Sequence, residues 1–93
     1  MSIQSIRDAE TRRLFRTGKS RRLAAIARIA TRKMDMLDAA AVLQDLASPP
    51  GNRLEGLSGD RAGQHSIRVN DKWRICFRWT AAGPEDVEIV DYH

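Results

Sequence analysis

The last three residues of the sequence, Asp91, Tyr92 and His93, carry side chains that can take part in proton transfer. They are a carboxylate, a phenol and an imidazole, all of which serve in general acid–base catalysis. In the segment 72–79 just upstream, basic residues alternate with large apolar ones. Arginine is always charged and can bind a phosphate through two hydrogen bonds. Proton-transfer groups beside cations favour a phosphodiester substrate, RNA in particular.

Cleavage of RNA without a metal fits these residue types. The 2′-hydroxyl attacks the adjacent phosphorus while a base takes its proton, cations stabilise the phosphoryl oxygens, and an acid protonates the leaving 5′-oxygen. We assign the base to Asp91 or Glu55 and the acid to His93, because histidine titrates near neutrality. Arg74 and Arg78 are the expected stabilisers of the phosphoryl charge.

Each of these candidates also has a purely structural interpretation. Tyr92, which we expect to stack on a base or orient the substrate, has the alternative of packing in the core. Asp91 could instead be a surface carboxylate, and His93 could belong to a frayed chain end. Arg74 could form a structural ion pair with Asp91 or Glu55. In a regular strand residues 91 and 93 share one face and residue 92 takes the other, so the three converge only if the backbone bends.

The first half of the sequence has the pattern of helices. Asp8 is a candidate N-cap for a helix that ends near Gly18. Ser20 is a second candidate N-cap, followed by apolar residues at spacings of three and four. Asp38 is expected to cap a continuation of this helix, which must end before the prolines at 49 and 50.

Strand signals occur before and after these helices. A short strand is weakly indicated at 2–6, and alternation with a period of two predicts strands at 53–57, 65–69, 72–79 and 87–93. Asn70 and Asp71 are expected to form a tight hairpin turn. The sequence therefore predicts one α+β domain over residues 1–93, with the N-terminal helices on one face of a small, mostly antiparallel sheet.

Alternation within 72–79 assigns side chains to two faces of the predicted sheet. One face has the apolar row Trp73, Ile75, Phe77 and Trp79, which is expected to pack against the helices, with base stacking as the alternative. The other face has Lys72, Arg74, Cys76 and Arg78. We interpret the second face as the side that binds an anionic ligand, with a solvated charged surface as the alternative.

The basic charge is concentrated in the first third of the chain. The net charge is +4, but residues 1–33 contain ten Lys and Arg against two acids, whereas residues 34–93 have a balance of −4. This asymmetry predicts contact with a polyanion, with a solvated helix face as the alternative. The expected RNA-binding residues are Arg21, Arg22, Arg28, Arg32, Arg61, Lys72 and Arg78.

The remaining composition bounds the class of protein. Cys76 is the only cysteine, so the sequence predicts no internal disulfide and fits a reducing cytoplasm. His65, Cys76 and His93 are too scattered to predict a zinc site, and we expect no metal and no cofactor. No secretory signal and no membrane span are predicted.

Residues 49–93 resemble the HigB-type toxins of the RelE/ParE superfamily, also called the plasmid maintenance system killer protein family. The order and spacing of several short strings carry the resemblance, and 34–40 adds a weaker match. The strings are Pro-Pro-Gly-Asn-Arg-Leu-Glu (49–55), Gly-Asp-Arg (59–61), Ser-Ile-Arg-Val-Asn (66–70), Trp-Arg-Ile-Cys-Phe-Arg-Trp (73–79) and Asp-Val-Glu-Ile-Val-Asp-Tyr-His (86–93).

The resemblance implies a RelE-like fold and a ribosome-dependent, metal-independent mRNA endonuclease that inhibits translation and growth. It also implies a HigA-like helix-turn-helix antitoxin as partner, with operator DNA bound indirectly through that antitoxin, and no membrane. The family's functional positions carry over most directly to Asp91, Tyr92, His93 and Arg74. Ser58 and His65 depart from the family pattern, since several members have a lysine and a tyrosine there. At Glu55 some ribosome-dependent members have a histidine implicated in cleavage, whereas other members share the glutamate.

Two other functions stay open because a fold alone does not fix the target. One is a ParE-like inhibitor of gyrase that does no chemistry of its own. The other is a nucleic-acid-binding corepressor that acts only with its partner.

Overall fold

Two helices pack against one face of a four-stranded antiparallel sheet in the structure, a computed structural model that describes residues 2–91. The helices are α1 (Ala9–Thr17) and α2 (Ala27–Ala39). The strands are β1 (Glu55–Gly56), β2 (His65–Arg68), β3 (Trp73–Thr80) and β4 (Gly83–Asp91), and they lie in chain order across the sheet. The predicted α+β arrangement is confirmed.

Helix α1 begins and ends at the predicted residues. The Asp8 carboxylate accepts a hydrogen bond from the Thr11 backbone N–H at 3.0 Å, and Gly18 ends the helix in the left-handed conformation with φ 77°. The fully buried Thr11 hydroxyl accepts a hydrogen bond from the Ile89 N–H at 3.2 Å. The helix is thereby joined to the outer edge of β4.

Helix α2 begins later than predicted. The Ser20 hydroxyl does accept a hydrogen bond from the Leu23 N–H at 3.2 Å, but this bond closes a turn. A short 3₁₀ segment at Ala24–Ile26 follows, and the α-helix starts only at Ala27. The serine therefore starts the turn that leads into α2 and does not cap the helix itself.

The predicted continuation capped by Asp38 is wrong. Asp38 lies in the last turn of α2, where its carboxylate accepts a hydrogen bond from the Ile3 N–H at 2.8 Å. The backbone becomes extended at Ala40, and a separate 3₁₀ segment forms at Leu43–Ala47. Asp45 caps that segment by accepting hydrogen bonds from the N–H groups of residues 41 and 42, which lower the pKa of its carboxyl.

The N-terminal segment lies along β4 without forming the strand expected at 2–6. A single parallel bridge joins Ile6 to Val87. Two backbone hydrogen bonds extend this contact. The Gln4 N–H donates to the Pro84 carbonyl at 2.6 Å, and the Arg7 N–H donates to the Val87 carbonyl at 2.8 Å. This segment covers part of an edge that would otherwise be open to pairing with another chain.

The hairpin between β2 and β3 has a longer loop than predicted. Val69 lies opposite Trp73, to which its N–H donates a hydrogen bond of 2.9 Å, so three residues form the loop. The Asn70 side chain accepts hydrogen bonds from the backbone N–H groups of Lys72 and Trp73, as in an Asx turn. Because of the extra residue, Arg68 lies opposite Arg74 and both point to the same face.

One hydrophobic core fills the space between the helices and the sheet. Its fully buried members include Leu14 of α1, Met34 and Leu37 of α2, Ile67 of β2, Ile75 and Phe77 of β3, and Val87 of β4. The two tryptophans of β3 are half-buried and pack against this core. Within the described part of the chain, no helix has the length and apolarity to cross a membrane.

Candidate active site on the open face of the sheet

The face of the sheet that points away from the helices, here called the open face, is charged. The register places Glu55, Ser66, Cys76 and Glu88 in one row across the four strands. A neighbouring row contains Arg68, Arg74 and Val90. These rows set the positions of the candidate residues.

Arg74 is held tightly at the centre of the open face. Its Nε donates to the Ser66 hydroxyl at 2.8 Å, and its Nη2 donates to the Arg53 carbonyl at 2.8 Å. Nη2 also lies 3.3 Å from Oε1 of Glu55, and only 14% of the Arg74 side chain is exposed. Strands β1, β2 and β3 therefore fix both the position and the orientation of this guanidinium.

A second arginine–carboxylate cluster lies on β4. The loop between β1 and β2 carries Arg61, whose Nη1 lies 2.7 Å from Oε1 of Glu88 and 3.1 Å from Oε1 of Gln64. Arg7 approaches the same Glu88 oxygen at 3.8 Å. Because β1 and β4 are opposite edges of the sheet, the Arg61–Glu88 pair fastens this loop across the open face.

Cys76 is covered by these charged side chains. It points away from the hydrophobic core, yet it is fully buried. Burial raises the pKa of its thiol to about 11, and the nearest charged groups belong to the Arg61–Glu88 and Arg74–Glu55 pairs. The thiol is protonated at neutral pH, so it is not a nucleophile there.

Arg78 differs from Arg74 and Arg61 because its guanidinium makes no hydrogen bond or ion pair with residues 2–91. Its guanidinium passes close to Gly63, where a Cβ atom would come within 2.7 Å of Nη1. Gly63 also has φ +90°, which disfavours any other residue. This glycine allows the loop to lie directly on the arginine.

The sequence model of one protein family, described as the RelE-like toxin of the type II toxin–antitoxin system HigB, matches residues 4–93. The chain belongs to this HigB-like family. A segment of 48 residues is 52% identical to Toxin HigB-1 of Vibrio cholerae serotype O1 and covers 52% of this chain and 50% of that protein. The chain thus aligns with about half the length of this relative.

Two further similarities agree with this assignment. An uncharacterized protein of Haemophilus influenzae is 38% identical over 52 residues, which cover 56% of this chain and 52% of that protein. The solved structure of a YoeB/ParE toxin from Agrobacterium tumefaciens matches with a TM-score of 0.56 at 20% identity, and all of both chains is covered. The structural match shows that this HigB-like chain has the RelE-type fold.

The HigB-like chain brings together only some of the predicted catalytic residues. Glu55 and Arg74 lie side by side, which is the ion pair considered as an alternative for Arg74. Asp91 pairs in register with Trp73, so it projects toward the helix-bearing side and not beside Arg74. Its carboxylate lies 3.5 Å from Nζ of Lys72. Tyr92 and His93, which the sequence predicts as the substrate-orienting residue and the acid, lie outside the described residues.

Lys72 was expected to share the face of Arg74. It precedes β3, in the bend of the hairpin loop, where strand alternation does not yet apply. Its ammonium is directed to Asp91 at the end of β4. The cation row on the open face therefore consists of Arg74 and Arg78 on β3, together with Arg68 on β2 and Arg61 on the loop.

The four basic residues predicted on the helices fall into two groups. The side chains of Arg21, Arg28 and Arg32 are exposed and form no hydrogen bond or ion pair with the rest of the described chain. Arg22 is 3.2 Å from Asp8, and its guanidinium carbon lies 5.8 Å from the centre of the Trp73 ring. Arg22 therefore makes structural side-chain contacts that the other three arginines lack.

His65 and Cys76 are on opposite faces of the sheet. His65 pairs in register with Phe77 and stacks on it, with ring centres 6.3 Å apart, whereas Cys76 points to the open face. Within residues 2–91, no group of three His, Cys, Asp or Glu side chains is arranged to hold a metal ion.

Four residues of the two clusters were missed in the sequence: Ser66, Arg7, Gln64 and Glu88. The position of Ser66 could have been predicted, because strand alternation counted from the hairpin places its side chain on the same face as Arg74. The other three meet only when the loop 57–64 folds over the sheet and the N-terminal segment lies along β4. Neither contact has a short-range signal.

Proposed function

We propose that this HigB-like chain is the toxin of a type II toxin–antitoxin module and cuts mRNA on the translating ribosome without a metal. The observation that carries the proposal is the fixed Arg74–Glu55 pair on the open face. It places a charge-stabilising group beside a potential base, on a face that the helices leave uncovered.

Arg74 has a donor available for the phosphate. Its Nε and Nη2 are engaged with Ser66, Arg53 and Glu55, but Nη1 makes no hydrogen bond to the described residues. A guanidinium has five donors, so Nη1 can contact a phosphoryl oxygen while the other atoms stay bound. The held guanidinium needs little reorganisation as charge develops on the phosphoryl group.

Glu55 is the favoured base of the two that the sequence allows. Its side chain is 55% exposed and lies on the open face, whereas Asp91 projects to the other side and is paired with Lys72. Glu55 takes the proton of the 2′-hydroxyl, whose oxygen then forms a bond to the adjacent phosphorus. The bond from phosphorus to the 5′-oxygen breaks, leaving a 2′,3′-cyclic phosphate on one fragment.

His93 is the proposed acid that protonates the leaving 5′-oxygen, and Tyr92 is proposed to orient the RNA. Their roles rest on the chemistry of the side chains and on the family motif in the sequence. Together with Arg74 and Glu55 they complete a reaction in which one proton is taken and one is given.

Binding to the ribosome is assigned to the other side of the molecule. Arg21, Arg28 and Arg32 are exposed cations on the helix layer, which suits contact with the phosphates of ribosomal RNA. We further propose a cytoplasmic site of action and neutralisation by a HigA-like helix-turn-helix antitoxin, through which operator DNA is bound indirectly.

The test is to express the chain inducibly and to map the 5′ ends of cellular mRNA, and then to repeat the cleavage with purified components. With translating ribosomes the protein should produce new ends inside coding sequences. The same mRNA without ribosomes should stay intact. Growth arrest without new mRNA ends, accompanied by loss of DNA supercoiling activity, would favour a gyrase inhibitor.

A further inference from the structure

A polar cavity lies beside the second arginine–carboxylate cluster, on the part of the open face next to β4. It has a volume of ≈ 360 Å³ and is lined by Arg7, Asp60, Arg61, Gln64 and Glu88. The N-terminal segment, the loop 57–64 and strand β4 each contribute to it. Among the described catalytic candidates, neither Arg74 nor Glu55 lines this cavity.

Glu88 and Gln64 are held by Arg61 and retain unused hydrogen-bonding atoms. Oε1 of Glu88 binds Arg61, while Oε2 makes no hydrogen bond within the described chain. Gln64 is only 7% exposed; its Oε1 accepts from Arg61, and its Nε2 donates to no described residue. Asp60 adds an exposed carboxylate that has no partner among residues 2–91. The cavity therefore presents acceptors on two carboxylates and a donor on a buried amide.

This combination matches one nucleobase better than the others. Guanine presents two adjacent donors, N1–H and N2–H₂, beside the acceptor O6, and carboxylates accept from such amino groups. Uracil has a single donor, and adenine and cytosine have only an amino group. The planar guanidinium of Arg61, which Glu88 and Gln64 hold through Nη1, offers a surface for stacking.

We propose that this cavity binds a guanine base of the RNA, with the carboxylates of Glu88 and Asp60 accepting from N1–H and N2–H₂ and Gln64 Nε2 donating to O6. The proposal rests on the proposed RNA cleavage and adds a base preference to it. Ser66, which holds Arg74, and Glu88 are two strands apart, or about 10 Å. A nucleotide next to the phosphate at Arg74 can span this distance.

The proposal is tested by binding, without ribosomes or cleavage. The purified chain, labelled with ¹⁵N, is titrated with GMP, AMP, CMP and UMP, and with inorganic phosphate as a separate arm. Since every nucleotide has the same phosphate, a difference among them reports the base. GMP should bind about tenfold more tightly than UMP and should shift the signals of Gln64 and Arg61, because a good pair of hydrogen bonds discriminates bases by this order.

Three variants assign the preference to the cavity. Asp60→Asn and Glu88→Gln should each reduce the ratio of GMP to UMP affinity by about fivefold or more. Glu85→Gln, a carboxylate of β4 outside the cavity, should leave the ratio unchanged. Asp60 is exposed, so Asp60→Asn remains informative even where Glu88→Gln does not fold.

Equal affinities for the four nucleotides, or shifts that inorganic phosphate reproduces in full, would overturn the guanine assignment. So would a GMP preference that survives both cavity variants. These outcomes leave mRNA cleavage untouched, because cleavage is scored separately on ribosomes. Conversely, a GMP preference lost in Asp60→Asn supports the cavity assignment even if the chain cuts no mRNA.

Discussion

Two sets of arginines, one on the open face and one on the helix layer, are held in opposite ways. On the open face, Arg74 and Arg61 are each fixed against a carboxylate, and 14% and 32% of their side chains are exposed. On the helix layer, Arg21, Arg28 and Arg32 are exposed and form no ion pair within residues 2–91. The same residue type is therefore fixed by side-chain contacts in one region and left exposed to solvent in the other.

The difference indicates two roles for arginine, one in catalysis and one in binding. A guanidinium with fixed orientation can stabilise charge at one point, which is what a transition state requires. Exposed cations attract a polyanion over a range set by salt, and they need no defined geometry. We therefore expect variants of the sheet to change the rate of cleavage and variants of the helices to change association.

The largest effect is expected from Glu55→Gln, which removes the proposed base. Cleavage on the ribosome should slow by roughly 10²–10⁴-fold, since this is the usual contribution of general base catalysis. The measurement is the single-turnover rate at saturating protein. Glu85→Gln is the matched control and should cleave like the wild type. A wild-type rate in Glu55→Gln would assign Glu55 to structure alone.

Arg74→Lys tests whether the geometry of the guanidinium matters in addition to its charge. Lysine cannot contact Ser66, Arg53 and a phosphate at once, so we expect a loss of about a hundredfold, or about 3 kcal/mol, in the cleavage rate. Arg68→Lys, at the opposing position on β2, is the control. If both lysine variants keep full activity, charge alone is sufficient at position 74.

Replacing Arg21, Arg28 and Arg32 together by Gln tests whether the arginines of the helix layer bind RNA. Ribosome association should weaken, and the slope of log affinity against log salt should fall by up to about 2, because each lost phosphate contact with single-stranded nucleic acid removes about 0.7. Co-sedimentation with ribosomes over a salt series measures this. The cleavage rate at saturation should stay unchanged. An unaltered salt slope would show that these arginines do not contact RNA.

The smallest effect is expected from Arg22→Gln in the same helix layer. Its contacts to Asp8 and Trp73 are partly exposed and together contribute about 1 kcal/mol to stability. A thermal melt should show Tm lower by about 4–8 °C, with no change in the salt slope. Should the salt slope fall as well, Arg22 contacts RNA together with Arg21, Arg28 and Arg32.

The sequence predicted most of the fold because its signals are local. Asp8 and Gly18 bound α1 as expected, and the alternation in β3 assigned Ile75 to the core and Arg74 to the open face. One error lies where a side chain bonds to a distant part of the chain. Asp38 has the type of an N-cap, but it binds the Ile3 N–H from the end of α2.

The candidate site was predicted less completely for the same reason. The pair formed by Glu55 and Arg74 was among the alternatives, because both lie on strands whose faces can be read from alternation. The separation of Asp91 from Arg74 depends on the register of β3 with β4, which shifts between Cys76 and Arg78. The positive φ of Asp86 near this shift has no signal in the sequence.

The chemistry of the RNA ends distinguishes attack by the 2′-hydroxyl from other routes of cleavage. A fixed arginine and a carboxylate that drive attack by the 2′-hydroxyl must leave a 2′,3′-cyclic phosphate and a 5′-hydroxyl at every cut. Mass spectrometry of the fragments from a short mRNA, cut on purified translating ribosomes, identifies both ends. We expect those ends with the wild-type chain and a much smaller yield of them with Arg74→Lys. Fragments ending in a 3′-hydroxyl and a 5′-phosphate would contradict the account.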